Sequence, residues 1–308
     1  MSATIIEGKP IAARVRARVA EDVAELSRST GVVPGLATVL VGDDPASAVY
    51  VGGKQRACAE VGMKAFDIRL PQSASHAQVS ETLAQLNENP EVSGILLQLP
   101  VPEQLDGPSL TEQIDASKDV DGLTPVSVGR LSLGQQGMRP CTPIGVMELL
   151  ASLRGPEGAL IAEAETPDSS WLSGMNAVVV GRSNLFGKPM AALLLAANAT
   201  VTVCHSRTRD LAATCAGADV LIVAAGRPRM IGAEHVRSGA VVIDVGVNRL
   251  TPEQAGNKSG LVGDVDFAAV SEIAAAITPV PGGVGPMTIA MLMRNTLDAA
   301  RARHAQGR

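Results

Sequence analysis

Apolar residues near the start of the chain follow helical spacing, at Ile11, Val15, Val19, Val23 and Leu26, which predicts an amphipathic helix. Continuous apolar runs, typical of strands buried on both faces, then alternate with helical stretches. The predicted strands are 36–41, 63–70 and 92–99, and the predicted helices are 46–61 and 76–87. Strands that alternate with helices favour a parallel sheet covered by helices.

A second unit of the same kind is predicted after residues 155–174, where Gly, Pro, Ser and acidic residues show no period and indicate a linker. Its predicted strands are 177–180, 201–204, 219–225 and 240–245, with a helix at 187–198. A helix at 143–153 leaves the first unit, and the last helix, at 287–303, is expected to pack back on that unit. The helix between the first two strands is long enough for a right-handed crossover, so this half is Rossmann-like. We therefore expect an α/β fold with two domains: residues 1–150, completed by 286–308, and residues 151–285.

Composition narrows the classes of function. Hydrophobic residues make up 46% of the 308 residues and charged residues 19%, which is enough apolar material for folded cores. Aromatic residues make up only 2%, which argues against binding nucleic acid by base stacking. The net charge of −5 gives no general attraction for nucleic acid or anionic lipid, so we expect neither as a partner.

The four cysteines are scattered and form no C-x-x-C pair, so neither a disulfide framework nor a metal site is expected. Free thiols suit a reducing compartment and predict a cytoplasmic protein. No run of about 18 apolar residues is present, so no membrane span is predicted.

A turn that begins at Gly181 and ends at Gly187 follows a predicted strand and opens a predicted helix. Backbone N–H groups in such a turn meet the phosphates of a dinucleotide. Ser183 replaces the middle glycine of the usual G-x-G-x-x-G pattern, so an ordinary strand-to-helix turn remains the alternative.

The end of the next predicted strand bears on the choice of cofactor. An enzyme that uses NAD usually has an acid there for the ribose hydroxyls, whereas this chain continues with Ser206 and Arg207. A hydroxyl and a cation favour a 2′-phosphate and hence NADP. The alternative is that Arg207 and Arg209 form a solvated basic corner.

Tyr50 and Lys54 lie four residues apart on a predicted helix, so both project from one face. A lysine beside a cleft can have its pKa lowered by burial and act as an acid or base, although most lysines are simply solvated.

Asp119 and Asp121 flank a valine in a predicted loop. One carboxylate there can bind the N–H groups of a ligand, with a cation site or a simple turn as alternatives.

A segment at 279–286 combines three prolines with three glycines and ends with Pro286 near the start of the last predicted helix, where proline is favoured. Such a rigid segment with small residues lets a ligand approach the backbone closely. The alternative is a turn that crosses between domains.

Taken together, these segments resemble the bifunctional methylenetetrahydrofolate dehydrogenase/methenyltetrahydrofolate cyclohydrolase family of one-carbon metabolism. The resemblance runs from about residue 5 to residue 296, nearly the whole chain. The matching segments are 41–54, 98–102, 118–122, 140–145, 181–190, 204–206, 242–248, 263–266 and 278–288.

The resemblance implies two α/β domains with a cleft between them, the first holding folate and the second NADP, in a homodimer. It implies oxidation of 5,10-methylenetetrahydrofolate to the methenyl cation and hydrolysis of that cation to 10-formyltetrahydrofolate, which supplies purine biosynthesis. The sequence departs from the family pattern at Phe186, where a small aliphatic residue is usual, and in its longer linker at 155–174.

Residue roles carry over from the same resemblance. Lys54 is the acid or base with Gln98 as its hydrogen-bond partner, Tyr50 stacks on folate, and Asp121 anchors the donor edge of the pterin. The residues that shape the folate wall are Pro281, Gly282 and Gly283. The residues implied for NADP are Gly181, Arg182, Ser183, Ser206 and Val247.

Three other readings compete with this one. A shikimate-type or amino-acid-type dehydrogenase shares the two-domain architecture but lacks the set formed by Tyr50, Lys54, Gln98 and Asp121. An enzyme with only one of the two activities is distinguished by an assay of methenyl-substrate hydrolysis without cofactor. A non-catalytic binding protein would not need Lys54.

Overall fold

The computed structural model describes residues 2–42, 45–154, 170–250 and 260–306, with the backbone alone at 45–50 and 154. Most of the predicted linker, residues 155–169, lies outside the described residues. Contacts divide the chain into two compact units. We call Ala13–Cys141 with Ile289–Arg308 the three-stranded unit, and Met1–Ala12 with Thr142–Thr288 the six-stranded unit.

The α-helices of the described residues are Gly8–Thr30 (α1), Pro45–Val61 (α2), His76–Glu88 (α3), Gly107–Thr111 (α4), Pro125–Ser132 (α5), Cys141–Ala151 (α6), Gly187–Ala196 (α7), Leu211–Ala216 (α8), Phe267–Ser271 (α9) and Val284–Gln306 (α10). Their strands are Thr4–Ile5 (β1), Gly35–Val41 (β2), Lys64–Leu70 (β3), Gly94–Leu97 (β4), Asn176–Val180 (β5), Thr200–Cys204 (β6), Val220–Val223 (β7), Val241–Asp244 (β8), Asn248–Arg249 (β9), Leu261–Val262 (β10) and Ala276–Ile277 (β11). Within the same residues, no helix has both the length and the hydropathy that crossing a membrane requires.

The sheet of the three-stranded unit has the order β3-β2-β4, and both pairings are parallel. The central strand β2 is buried along its whole length, which explains its continuous apolar sequence. Its core includes Val39, Ile95 and Leu97 and is covered by α3 through Val79 and Leu83. The chain leaves β2 toward one neighbour and returns to the other, so the carboxyl ends of β2 and β4 define a topological switch point.

The larger sheet has the order β1-β11-β8-β7-β5-β6, and every pairing in it is parallel. Its core is aliphatic and includes Val178, Val180, Leu221, Val223 and Val242. The strand order reverses at β5, between β6 and β7, and nucleotides bind outside the carboxyl ends of strands at such a point. Both units therefore confirm the predicted α/β class with parallel sheets.

The first strand was not predicted from the sequence. Thr4 and Ile5 pair with Ala276 and Ile277 of β11, which places Met1–Ala12 with the six-stranded unit. A strand of two residues has no hydrophobic period, so only this long-range pairing defines it. The small antiparallel pair of β9 and β10 was missed for the same reason.

Candidate active site

Lys54 and Gln98 meet at the carboxyl end of the smaller sheet. Lys54 lies on α2, and Gln98 directly follows β4. The Lys54 amine donates a 2.7 Å hydrogen bond to Gln98 Oε1, and Gln98 Nε2 donates a 2.8 Å bond to the Leu99 carbonyl. The Gln98 amide is therefore held at both ends, and its oxygen faces the lysine.

Burial dominates the electrostatics of Lys54, whose side chain and backbone are only 7% exposed. Burial disfavours the ammonium form and lowers the pKa of Lys54, while Asp121 and Cys141 oppose that shift. An amine whose pKa lies nearer to neutrality than usual can exchange protons with a bound molecule.

Asp121 belongs to the same cluster. The chain at Asp119 bridges to Ile95 of β4 in parallel, which places Asp121 just beyond the edge of the sheet. Burial raises the pKa of Asp121 to about 6, the Lys54 charge lowers it, and the Asp119 charge raises it further. Cys141 lowers this pKa in turn, and its thiol donates a 3.3 Å hydrogen bond to the Val120 carbonyl beside Asp121.

Lys118 lies in the same loop as Asp121, and its side chain binds the end of α3. It is 1% exposed, and its Nζ donates to the carbonyls of Leu86, Asn87 and Asn89 at 2.9, 2.6 and 2.8 Å. These carbonyls belong to the last turn of α3 and the residue after it, where a cation is favourable. Lys118 falls within the matching segment 118–122, and nothing in the sequence indicates this structural role.

Asn295 is a further residue of the cluster that sequence reasoning missed. Its Nδ2 on α10 donates to the carbonyls of Val120 at 2.8 Å and Arg139 at 2.9 Å. It thereby joins the two segments that carry Asp121 and Cys141. The sequence gives no distinctive signal for it, because Asn295 lies between Arg294 and Thr296 in a helix of mixed polarity.

Tyr50 lies one turn before Lys54 on α2. Its backbone is helical, as predicted, and its side chain lies outside the described part of the structure. Lys54, Gln98 and Asp121 are therefore the predicted residues that the structure brings together in this unit.

The turn that starts at Gly181 lies at the switch point of the larger sheet. Gly181 has φ of +126°, and a Cβ there would lie 2.3 Å from the Ala224 carbonyl oxygen. A Cβ on Gly187 would lie 2.1 Å from the Gly181 carbonyl oxygen. Only glycine fits at either position, because in both cases the clash is with backbone.

The N-terminus of α7 is suited to binding an anion. No side chain caps its N-terminus, so the first backbone N–H groups have no side-chain partner there. Ser183 Oγ accepts a 3.2 Å bond from the Phe186 N–H, which shapes the turn, and the Phe186 side chain is buried. Arg182 and Ser183 are exposed and are available to a ligand.

The end of β6 fits a 2′-phosphate better than two ribose hydroxyls. Ser206 and Arg207 are exposed, and residues 205–209 contain no acid. Val247, which follows β8, is 53% exposed. The donor set therefore consists of backbone N–H groups, hydroxyls and guanidinium groups, all suited to phosphate.

The three residues predicted to shape the folate wall lie in the six-stranded unit, after β11. Gly282 has φ of +109°, its carbonyl accepts a 3.0 Å bond from the Gly8 N–H, and a Cβ on Gly8 would lie 1.7 Å from the Gly283 carbonyl oxygen. Pro281 is exposed. The segment thus packs closely against Gly8; the positive φ favours glycine at position 282, and a Cβ on Gly283 would lie 2.7 Å from the Pro279 carbonyl oxygen.

These features define the class of protein. A Rossmann-type sheet has an open phosphate-binding turn at its switch point, and a second α/β unit carries a buried lysine with an amide and a carboxylate beside it. These two sites together are typical of an enzyme that uses a dinucleotide cofactor and a side chain that transfers protons.

Comparison with known sequences gives the family. Residues 6–121 match the catalytic domain of tetrahydrofolate dehydrogenase/cyclohydrolase, and residues 140–304 match the NAD(P)-binding domain of the same family. The chain belongs to the tetrahydrofolate dehydrogenase/cyclohydrolase family, as the resemblance indicated.

Individual relatives cover nearly the whole chain. The bifunctional protein FolD 2 of Frankia casuarinae is 60% identical over 302 residues, covering 98% of this chain and 97% of its own. The FolD crystal structure from Campylobacter jejuni is 42% identical with a TM-score of 0.88, covering 98% of this chain and 100% of its own. The Trypanosoma brucei enzyme, solved with NADP and an inhibitor, is 36% identical with a TM-score of 0.89 and covers 99% of both chains.

Proposed function

We propose that this protein oxidises 5,10-methylenetetrahydrofolate to 5,10-methenyltetrahydrofolate with NADP and then hydrolyses the product to 10-formyltetrahydrofolate. Family membership supports both activities. The observation that carries the second one is the buried Lys54 amine, bonded to Gln98 and close enough to Asp121 to interact with its charge. We assign folate to the three-stranded unit and NADP to the six-stranded unit.

The first reaction asks mainly for alignment. The hydride leaves a carbon between two nitrogens, whose lone pairs stabilise the cation that forms, so no proton has to be removed from that carbon. The cofactor, when bound, supplies the hydride acceptor. The protein's contribution is then to hold two reactants in a fixed geometry.

The second reaction needs a group that handles protons. Water adds to the methenyl carbon, one proton is released, and the ring opens to the formyl product. We assign Lys54 as the base that takes the proton from water, because its lowered pKa increases the fraction of neutral amine. Gln98 orients that amine through the 2.7 Å bond.

Substrate binding is assigned to the groups around Lys54. The ionised Asp121 carboxylate accepts hydrogen bonds from the N–H groups on the pterin edge. Tyr50, one turn before Lys54, stacks on the folate ring. The family resemblance also implies that residues 281–283 contact folate, and Gly282 and Gly283 have no side chains that would keep a flat ring from the backbone.

Cofactor binding is assigned to the open turn and to the strand ends beside it. Gly181 and Ser183 shape the turn that meets the pyrophosphate at the start of α7. Arg182 and Ser206 bind the 2′-phosphate, and the exposed Val247 contacts the cofactor after β8. The fit rests on the uncapped helix and on the absence of an acid at 205–209.

The finer context follows from the resemblance. We propose a cytoplasmic homodimer that supplies one-carbon units to purine biosynthesis, with neither nucleic acid nor membrane as a partner. Four free cysteines, all buried, fit a reducing compartment. Sedimentation equilibrium of the purified protein tests the dimer, since a mass of one chain across the concentration range contradicts it.

Two assays on the purified protein test the reactions separately. Methylenetetrahydrofolate is supplied with NADP or NAD, and reduced cofactor is measured. Methenyltetrahydrofolate is supplied without cofactor, and its loss is compared with the uncatalysed rate. Hydrolysis without dehydrogenation, or the reverse, identifies an enzyme with one activity, and the absence of both contradicts the proposal.

A further inference from the structure

Asp264 is a fully buried carboxylate in the six-stranded unit, outside the set of predicted site residues. Its Oδ2 accepts hydrogen bonds from the backbone N–H groups of Ala225 at 2.6 Å and Gly226 at 2.8 Å. Its Oδ1 accepts from the Arg227 N–H and from Asn248 Nδ2, both at 2.8 Å. Three successive backbone N–H groups and one side-chain amide therefore converge on a single carboxylate.

The groups that Asp264 holds lie beside the residues assigned to the cofactor. Segment 225–227 follows β7, and the Ala224 carbonyl oxygen just before it occupies the space that a Cβ on Gly181 would need. Asn248 is the immediate neighbour of Val247. The carboxylate thus ties together two loops at the carboxyl edge of the larger sheet, one beside the phosphate turn and one beside Val247.

A second buried carboxylate fixes Asp264 in turn. The Asp264 and Val265 N–H groups donate to the two oxygens of Asp244, each at 3.0 Å. A Cβ on Gly263 would lie 1.8 Å from Asp244 Oδ2, so the chain passes this carboxylate too closely for any side chain. Asp244 is the last residue of β8. Asp264 is therefore hydrogen bonded to a strand of the sheet rather than to another loop.

We infer that Asp264 is a positioning residue for NADP, and this inference rests on the proposed function. It does not touch the cofactor, because both of its oxygens are occupied by protein donors. It sets the backbone of 225–227 and the orientation of Asn248, and through them the surface that NADP meets between β5, β7 and β8. The fourfold acceptance explains why an acid is needed: an asparagine has one acceptor oxygen and would turn an amide donor toward N–H groups.

The test is Asp264→Asn, compared with Asp266→Asn as a matched control. Asp266 lies two residues further on and, among the described residues, its side chain accepts from the Ala269 N–H as the cap of α9, a role that asparagine also fills. Calorimetric titration with NADP measures the Kd without turnover. We expect Asp264→Asn to raise the Kd and the KM for NADP at least tenfold, and Asp266→Asn to change them less than twofold.

Cofactor-free hydrolysis of the methenyl substrate separates positioning from general loss of structure. We expect Asp264→Asn to retain it within twofold, because Lys54 and its partners belong to the three-stranded unit. Equal loss of both activities, or a normal Kd for NADP in a protein with lowered Tm, overturns the inference. A parent enzyme that binds no NADP contradicts the proposed function instead.

Should Asp264→Asn fail to fold, Asn248→Ala removes one of the four donors and leaves the carboxylate in place. We expect a rise of about threefold or more in the Kd for NADP with hydrolysis retained. An unchanged Kd in this variant overturns the inference as well.

Discussion

The amine of Lys54 donates to the amide oxygen of Gln98 at 2.7 Å, across 44 positions of sequence. The chemical nature of this partner matters. A carboxylate in its place would favour the ammonium form and raise the pKa of the lysine, whereas a neutral amide orients the amine and leaves burial as the dominant influence. The contact with Gln98 therefore fixes the position of the amine, while burial lowers its pKa.

Replacement of Lys54 by glutamine tests its role in hydrolysis. We expect Lys54→Gln to lose hydrolysis of the methenyl substrate by about 10²–10⁴-fold, the usual contribution of a general acid or base. Hydride transfer needs no proton shuttle and should fall less. Lys64→Gln, at a lysine on the exposed end of β3, is the control. Near-normal hydrolysis by folded Lys54→Gln would contradict the assignment.

Replacement of Gln98 by glutamate keeps the length of the side chain but adds a charge. We expect Gln98→Glu to raise the pKa of Lys54, because an opposite charge within hydrogen-bond distance favours the ammonium. The neutral fraction at a given pH falls tenfold for each unit that the pKa rises. Hydrolysis should therefore decline at neutral pH and recover at higher pH, and a pH profile like that of the parent would contradict the assignment of neutral Lys54 as the base.

The raised pKa of Asp121 predicts a loss of activity at acidic pH, which is the acidic limb of the pH profile. Its pKa, raised to about 6 mainly by burial, means that the carboxylate takes up a proton as the pH falls through that value and loses an acceptor for the pterin edge. We expect kcat/KM for both folate reactions to fall below about pH 6. Asp121→Asn should lower kcat/KM by about 10- to 100-fold, which corresponds to about 1.5–3 kcal/mol, and should remove the limb from the profile of hydride transfer, which does not depend on neutral Lys54. Unchanged kinetics in both assays would make Asp121 a simple loop residue.

Much of the fold could be predicted because its main elements carry local signals. The continuous apolar sequence of β2 and the period of α1 are set by burial of neighbouring positions, which any window of sequence displays. The strand β1 has two residues and exists only through β11, which lies about 270 positions away. No local period encodes such a pairing.

The candidate site divides in the same way. Lys54 was predicted from its place on a helix, and Gly181 from its place between a strand and a helix. The bond between Lys54 and Gln98 was expected only from the family resemblance. The contacts of Asn295 and Asp264 were not expected at all, because they join segments through backbone atoms whose positions the sequence does not display.

Lys118 gives a prediction about stability. Removal of its amine leaves the carbonyls of Leu86, Asn87 and Asn89 without this donor, and an unsatisfied buried polar group costs about 1–3 kcal/mol. We expect Lys118→Met, which keeps a long apolar side chain, to lower the free energy of unfolding by about 2–4 kcal/mol in urea.

The control for Lys118 is Lys64→Met. Lys64 pairs with Glu91 on the surface, where its side chain is 48% exposed, and such pairs contribute about 0–1 kcal/mol. Equal effects of the two substitutions would show that the three carbonyls at the end of α3 are satisfied without Lys118.

The choice of cofactor provides the last prediction, and it depends on Ser206. An acid at this strand end would repel a 2′-phosphate, whereas the Ser206 hydroxyl can donate to it and Arg182 can pair with its charge. Charge-assisted bonds contribute about 1.5–3 kcal/mol each, so one or two correspond to roughly 10- to 10⁴-fold preference for NADP over NAD in kcat/KM. We expect Ser206→Asp to abolish most of that preference. Ser183→Asp, in the turn rather than at the strand end, should lower kcat/KM for NADP and for NAD to the same extent. A parent that uses NAD as well as NADP, or a Ser206→Asp variant with the parent's preference, would place the 2′-phosphate elsewhere.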